Sequence, residues 1–517
     1  MGLRILSVAS EWFSYHGGLS TFNRSFCTAM AAGGHEVVCL MPAVSAEERE
    51  DAKAVKVQLI PAPLIAGLSS EASLCLPIAS TFQPDIVVGH GHITGAAAAA
   101  RVAHFHRGAR RIHFLHTLPE EIEWFKERNG TDAAQRAQRK QEVETALCQS
   151  AALAVAVGPR LERQWNTHLA GLKERIVVHR LTPGLPEAEP VAEIPQSSWC
   201  LLLGRLEDME LKGVDIAAAA LGILARDDRF RGAREPTLVL RGATLNTSNK
   251  LWEEVRKQAN TNILCNIKEF THDESRVRED IARASVVLMP SRVEGFGLVA
   301  LEALAMGVPI LVSQRSGFGE LLLERIEADP NLSFAAKYVV DVRDNVATDA
   351  ARWADAIRGV LEDRELAFKE TAALRDVFLM SDYWKRAVTE LLDRLRMGPP
   401  HQARSETARD NPLELAHEFA KSDAAVSVVL STSILEQTME RVLVSRGIAK
   451  PGLQPAQYLA LLRQKGYLKP ADADYGQELI RRRNIAVHDA HAGIDARQAE
   501  DHGRGVEHLV SILENIS

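Results

Sequence analysis

The sequence predicts two parallel, doubly wound α/β units in series, followed by an all-α helical bundle. Three observations carry this. Short apolar runs alternate with helix-period segments as far as about residue 396. A proline-rich stretch, Thr182 through Pro195, interrupts the alternation once. Beyond residue 411 the short strands are gone and only helical periodicity remains.

Composition sets the bounds. A chain of 517 residues holds about three domains of ordinary size. Its 46% hydrophobic and 25% charged content is that of a globular protein. A net charge of -7 excludes wholesale binding of polyanions, so any RNA contact must be local. The six cysteines are scattered and form no C-x-x-C pair, which points to buried thiols in a reducing, cytoplasmic setting. The chain enters an apolar strand, Leu3 to Val8, at once, so no signal peptide is expected. No run reaches the length a transmembrane helix needs.

In the first unit the strand Leu3–Val8 is followed by a loop with Gly17-Gly18. A helix, Ser20 to Ala32, and a strand, His35 to Leu40, come next. A glycine pair after the first strand lets a ligand approach the backbone, with a helix N-terminus behind it. Asp85–Val88 reads as a strand, with an alanine-rich helix from Gly95. Arg111 to Thr117 reads as another strand and places His116 at its carboxyl end, where open α/β sheets keep their chemistry. His90, His92 and His113 read as satisfied strand-end or loop histidines. Ala133 to Lys140 reads as a solvated basic helix face, and Ala151–Val157 as a buried strand.

In the second unit Trp199 to Arg205 is a strand ending in a charged turn, with Lys212-Gly213 beyond it. Leu238–Leu240 is a strand closed by a turn at Arg241-Gly242-Ala243. The most informative stretch is Pro290 to Pro309. It follows the strand Ser285–Met289, turns through Glu294-Gly295-Phe296-Gly297, opens a helix from Leu298 to Met306 and ends in the strand Ile310–Ser313. Strand, glycine turn, helix, strand is a parallel crossover whose helix N-terminus offers an anion a seat. Glu294 and Glu302, eight residues apart, flank that seat. Carboxylates repel phosphate but accept from hydroxyls. A nucleotide sugar needs both kinds of partner.

Over Pro290–Pro309 the chain resembles the C-terminal half of B-fold glycosyltransferases, in particular the large retaining family four, with its P-S-x-x-E-G-F-G-L…E-A-x-A-x-G-x-P frame. The resemblance spans about residues 1–396. It implies a GT-B fold: two Rossmann-like domains facing a cleft, residues 1–185 on the acceptor side and 186–396 on the donor side. It implies hexosyl transfer from a nucleotide-diphosphate sugar to an unidentified acceptor, with no cofactor or metal required. Carried onto this chain, His116 and Glu294 become the catalytic-site residues. Gly17, Gly18, Arg205, Lys212, Phe296, Gly297, Leu298 and Glu302 become donor-binding residues, with the two cations clamping the diphosphate. Three departures stand out. Arg205 and Lys212 are seven apart, about two more than the family spacing, so the intervening loop must bulge. Arg241-Gly242-Ala243 is poorer in glycine than the family turn, and Ser316 replaces the first glycine of a G-G-x-x-E turn. Ser381-Asp382-Tyr383-Trp384 fits the terminal helix that crosses back to the first domain. The one D-x-D, Asp472-Ala473-Asp474, falls in an expected loop outside this region.

Residues 397–411 read as a polar linker and 412–517 as the bundle, with helices over Leu413–Arg446, Gln457–Lys465, Glu478–His488 and Gln498–Ile516. Within it, Arg483-Asn484-Ile485-Ala486-Val487-His488 resembles the R-N-x-x-x-H signature of HEPN domains. That resemblance implies metal-independent RNA cleavage by Arg483, Asn484 and His488, with RNA as partner and two bundles paired in a homodimer. Asn484 and His488 share a helix face, whereas Arg483 sits roughly 140° round from His488. A HEPN bundle kept for dimerisation and an unrelated basic helix remain open alternatives. A second functional reading also follows: a nucleotide or nucleotide-sugar sensor controlling a HEPN RNase in a toxin or anti-phage defence system.

Overall fold

The computed structural model describes residues 2–14, 18–63, 69–78, 82–125, 133–172, 176–244, 247–397, 424–450, 453–488 and 495–515. Strands β1 (Arg4–Val8), β2 (Glu36–Met41), β3 (Val57–Pro61), β4 (Ile86–His90), β5 (Arg110–Leu115), β6 (Leu153–Val157) and β7 (Val178–Leu181) form one parallel sheet in the order β3-β2-β1-β4-β5-β6-β7. Strands β8 (Trp199–Leu203), β9 (Thr237–Ala243), β10 (Leu264–Glu269), β11 (Val286–Met289), β12 (Ile310–Ser313) and β13 (Val339–Val340) form a second, in the order β10-β9-β8-β11-β12-β13. Both orders reverse once, between β1 and β4 and between β8 and β11. Such reversals open a crevice at the carboxyl ends of the strands. Helices cover both faces, which is why β4, β6 and β11 are buried along their whole length and read as unbroken apolar runs.

Several boundaries differ from the sequence reading. β9 runs straight through the expected turn at Arg241-Gly242-Ala243. Gly242 is required there by contact rather than by turning: its φ is 118°, and an added Cβ would lie 1.9 Å from the Gly204 carbonyl oxygen. β5 stops at Leu115, so His116 lies just beyond the strand. The helix expected from Gly95 begins at Gly91, which puts His92 in its first turn. Gly95 instead makes room for the His113 ring, 2.6 Å from where its Cβ would be. The edge strand β10 escaped detection because its LCNIKE sequence never alternates cleanly between apolar and polar.

The helix Tyr383–Met397 does cross back. Trp384 packs on Phe22 with ring centroids 5.7 Å apart, and Arg394 bonds His179 at 2.8 Å. Beyond it, among the described residues, four helices follow: Ala424–Ser445, Pro455–Gln464, Pro470–His488 and Ala496–Glu514. They bury their own apolar core, including Leu435, Met439, Leu462, Leu479 and Leu509. The third helix starts well before Glu478, so Asp472 and Asp474 sit on a helix and not in a loop. Asp474 accepts from Arg463 at 3.1 Å and Asp472 faces His508 at 3.6 Å. Of the expected linker, only Met397 is described. No helix among the described residues is long and apolar enough to cross a membrane.

Candidate functional site

The two sheets meet at the Glu294–Gly297 turn, and glycines make the meeting possible. Gly297 has a φ of 95° and caps the helix Leu298–Ala305 in the left-handed region. Gly295 lies against the first domain: an added Cβ would sit 2.2 Å from the His116 carbonyl oxygen. The Phe296 ring would meet a Cβ on Gly158 at 2.4 Å, and Leu298 approaches the Gly18 position at 3.3 Å. His116, Gly18, Phe296, Gly297, Leu298 and Glu294 therefore converge on one cleft. Gly18 is the first residue of the helix Gly18–Ala32, while Gly17 lies outside the described residues. Ser316, in place of a glycine, accepts the Gly319 N–H at 3.0 Å and so caps the helix Gly317–Ala328.

The Arg205–Gly213 loop bulges as the long spacing requires. Lys212 N–H donates to the Asp208 carbonyl at 3.0 Å, and the Lys212 ammonium reaches Glu294 Oε2 at 2.6 Å. Sequence reasoning missed what holds the loop. Buried Arg292 forms a two-pronged bond with Asp215 at 2.9 and 2.6 Å, and its backbone N–H donates to the Leu211 carbonyl at 2.9 Å. The two partners are 77 residues apart, beyond the reach of any local pattern. Arg205 is exposed and makes no side-chain hydrogen bond among the described residues.

His116 is backed by a buried relay. Its Nε2 lies 3.1 Å from His90 Nδ1, His90 Nε2 lies 3.0 Å from Asn23 Oδ1, and the Ser7 hydroxyl donates to that same oxygen at 2.6 Å. His90 is thus satisfied, as expected, and it also fixes the ring of His116. With Asn23 Oδ1 as acceptor, His90 carries its proton on Nε2 and accepts from His116 Nε2–H, which leaves His116 Nδ1 as an acceptor. Burial, and secondarily His113, pulls His116 down to about 3, so it is neutral at ordinary pH. His113 itself is buried and bonded to Glu144 at 2.7 Å.

Glu302 sits on the helix that Gly297 opens. Burial and then the Glu274 carboxylate push its carboxyl up to about 7, against the pull of Arg24 and Arg278. Arg24 and Glu274 also pair directly, tying the helix Gly18–Ala32 to the second domain.

In the tail, Arg483 Nη2 bonds Glu436 Oε1 at 2.6 Å. Burial raises the Glu436 carboxyl, and Arg483 opposes the rise. Both residues line a groove of about 370 Å³ shared with Pro63, Leu76 and Pro77 of the first domain. Asn484 and His488 lie on the helix Pro470–His488, with side chains outside the described residues.

Residues 6–391 match the family model described as Family 4 Glycosyltransferase in conflict systems. The chain is 31% identical over 191 residues to glycogen synthase of Mycobacterium tuberculosis, covering 37% of this chain and 40% of that protein. It thus spans about two fifths of that relative's length. It is 27% identical over 332 residues to D-inositol 3-phosphate glycosyltransferase of Jonesia denitrificans, covering 58% of this chain and 76% of that protein. Among solved structures, sucrose-phosphate synthase from Thermosynechococcus elongatus superimposes with a TM-score of 0.56 at 17% identity, over 76% of this chain and 98% of that one. That is a likeness of fold.

Proposed function

The chain belongs to the family 4 glycosyltransferases of conflict systems, and from that premise we propose that its cleft moves a hexosyl group, with retention, from a nucleotide-diphosphate sugar to an acceptor. The observation that carries the reading is the meeting of Lys212 and Glu294 at 2.6 Å beside the N-terminus of the helix Leu298–Ala305, with His116 across the cleft. In this reading Arg205, Lys212 and the helix end take the charge that grows on the departing diphosphate. Glu294 holds hydroxyls of the sugar and Glu302 those of the ribose. Neutral His116, with its tautomer fixed, offers Nδ1 as an acceptor beside the transferred sugar. Native mass spectrometry with a panel of nucleotide sugars tests donor binding. Glu302→Ala weakens nucleotide and nucleotide sugar alike, whereas Glu294→Ala spares the bare nucleotide. Equal loss of the bare nucleotide in both variants overturns this division of roles.

A second reading assigns an effector to the tail. Arg483 faces a groove walled by the first domain, which gives the front half a physical hold on the motif. In this reading the cleft senses a nucleotide or nucleotide sugar, and the tail is a HEPN-like RNase of a cytoplasmic defence system. The substrate's own 2′-hydroxyl attacks the adjacent phosphate and the 5′-oxygen of the next nucleotide leaves, so that a 2′,3′-cyclic phosphate and a free 5′-hydroxyl result; His488 moves the proton and Arg483 takes the phosphate charge. Two tails pair to complete a site, so the protein is a homodimer and truncation after Met397 yields a monomer by sedimentation. RNA cleavage in EDTA that is present in wild type and lost in His488→Ala supports this reading. No His488-dependent cleavage under any ligand condition removes it and leaves the tail as a docking or dimerisation module.

A further inference from the structure

A second cavity, of about 480 Å³, opens between the two domains. Four guanidinium groups line it. Arg160 and Arg163 come from the first-domain helix Pro159–Leu169. Arg315 follows β12 and Arg343 follows β13, both at the carboxyl edge of the second sheet. Glu320, on the helix Gly317–Ala328, lies among them.

The cavity is joined to the proposed transfer site by backbone. The Glu294 N–H donates to the Arg315 carbonyl at 3.2 Å, so cavity wall and donor turn share a residue. On the first-domain side, Arg160 holds Glu121 with Nη2 at 2.8 and 3.0 Å, in the short helical turn that follows His116-Thr117. Arg160 Nη1 crosses to Glu320 at 3.2 Å. Through Arg315 and Arg160 the cavity wall therefore touches both the Glu294 turn and the segment that follows His116.

The arginines are under-used. One oxygen of Glu320 serves both Arg160 and Arg163, the latter at 2.6 Å. Arg315 spends one nitrogen on Asp344 at 2.6 Å, and Arg343 pairs through Nε with Asp341. Arg160 is 8% exposed and is held in place by Glu121 and Glu320, so it presents a fixed guanidinium edge to the cavity. Four guanidiniums with N–H groups to spare suit an oxyanion that accepts several bonds at once, which a phosphate monoester does. Ordinary ligand cavities run from about 300 to 1,000 Å³, so this one has room for a sugar phosphate.

We propose that this cavity binds the phosphate group of a phosphorylated acceptor. The proposal rests on the transfer reading for the word acceptor alone; the anion site stands or falls separately. A ligand phosphate between Arg160 and Arg163 of one domain and Arg315 and Arg343 of the other would reinforce the bridge that Glu320 already makes across the two domains.

The test is calorimetry on the full chain with glucose 6-phosphate, inorganic phosphate and glucose, each with and without a saturating nucleoside diphosphate. Glucose 6-phosphate and phosphate bind, glucose does not, and the nucleotide does not displace them. In Arg163→Gln/Arg343→Gln, both exposed and away from the donor contacts, glucose 6-phosphate affinity falls at least tenfold while nucleotide affinity holds. Arg160→Lys, which keeps the charge and loses the fork, falls in the same direction, and its thermal midpoint separates lost binding from lost packing. Absence of binding by either phosphate probe, equal affinity in the double variant, or displacement by nucleotide each overturns the proposal. Failure of every nucleotide to bind, with phosphate still bound at the arginines, removes the transfer reading and leaves the anion site.

Discussion

The donor turn and the tail motif are both short sequence signatures, and the structure holds them in opposite ways. The turn is fixed by backbone. Gly295 and Gly297 sit where any side chain would strike the His116 carbonyl or the Met289 side chain, and Gly297 adopts a φ of 95°. Arg483, by contrast, is held by a side-chain ion pair with Glu436, at 2.6 Å on another helix. A motif made of backbone constraints specifies its own geometry. A motif made of side chains on a helix specifies a spacing, and leaves its partners to the rest of the fold.

This contrast predicts where damage is greatest. Gly295→Ala forces either the turn or the end of β5 to move, because the obstacle is backbone and not a flexible side chain. Misplacement of about 1 Å in a site of this kind costs roughly 100-fold in rate. Donor-dependent turnover in Gly295→Ala therefore drops by about two orders of magnitude, with a widened cleft by small-angle scattering. Turnover within a few-fold of wild type breaks the claim that backbone contact sets this site.

Arg205→Ala comes next. An exposed guanidinium that binds a diphosphate is worth about 1.5–3 kcal/mol, the scale of hydrogen bonds to charged groups. Nucleotide affinity by calorimetry falls accordingly, by about 10- to 150-fold, and the thermal midpoint does not move. A lowered midpoint with unchanged affinity reverses the assignment and makes Arg205 a structural residue.

For the tail the same substitution logic inverts. Glu436→Gln takes the Glu436 charge away from a half-buried guanidinium, so the cost appears in stability first. A loss of about 1 kcal/mol speeds amide exchange across the helix Pro470–His488 several-fold, read by hydrogen exchange. Unchanged protection means that Arg483 is held by something other than Glu436.

What was legible in the sequence follows the same division. The strand Ile310–Ser313 is legible to the residue, because Gly307 and Pro309 stop the chain before it and polar Gln314-Arg315 ends its apolar run. His116 was legible as a strand-end residue, but its partners were not. His90 and Asn23 are 67 residues apart, and only the packing of the helix Gly18–Ala32 on the sheet joins them. Arg292–Asp215 was hidden for the same reason. The turn wrongly expected at Arg241-Gly242-Ala243 shows the converse error. A glycine required by the closeness of a neighbouring strand looks, in one dimension, like a glycine required by a turn.

A further predicted effect concerns a charge inside the backbone-built site. The Glu302 carboxyl is held at about 7, above its ordinary 4.5, chiefly by burial and then by Glu274. An acid whose folded pKa exceeds its unfolded one binds more protons in the folded state between those two values. Its contribution to stability is therefore present at low pH and is lost as pH rises from about 4.5 through 7. Glu302→Gln cannot ionise and escapes that loss. Its thermal midpoint matches wild type near pH 5 and exceeds it by a few degrees near pH 8. Nucleotide binding moves the other way. In the proposed role at the ribose the ionised carboxylate is the better acceptor, so wild-type affinity strengthens as pH rises through about 7, while Glu302→Gln shows no such rise. Parallel midpoints for the two proteins across this range show that Glu302 is solvated enough to ionise freely, and that burial at this helix does not tune the site.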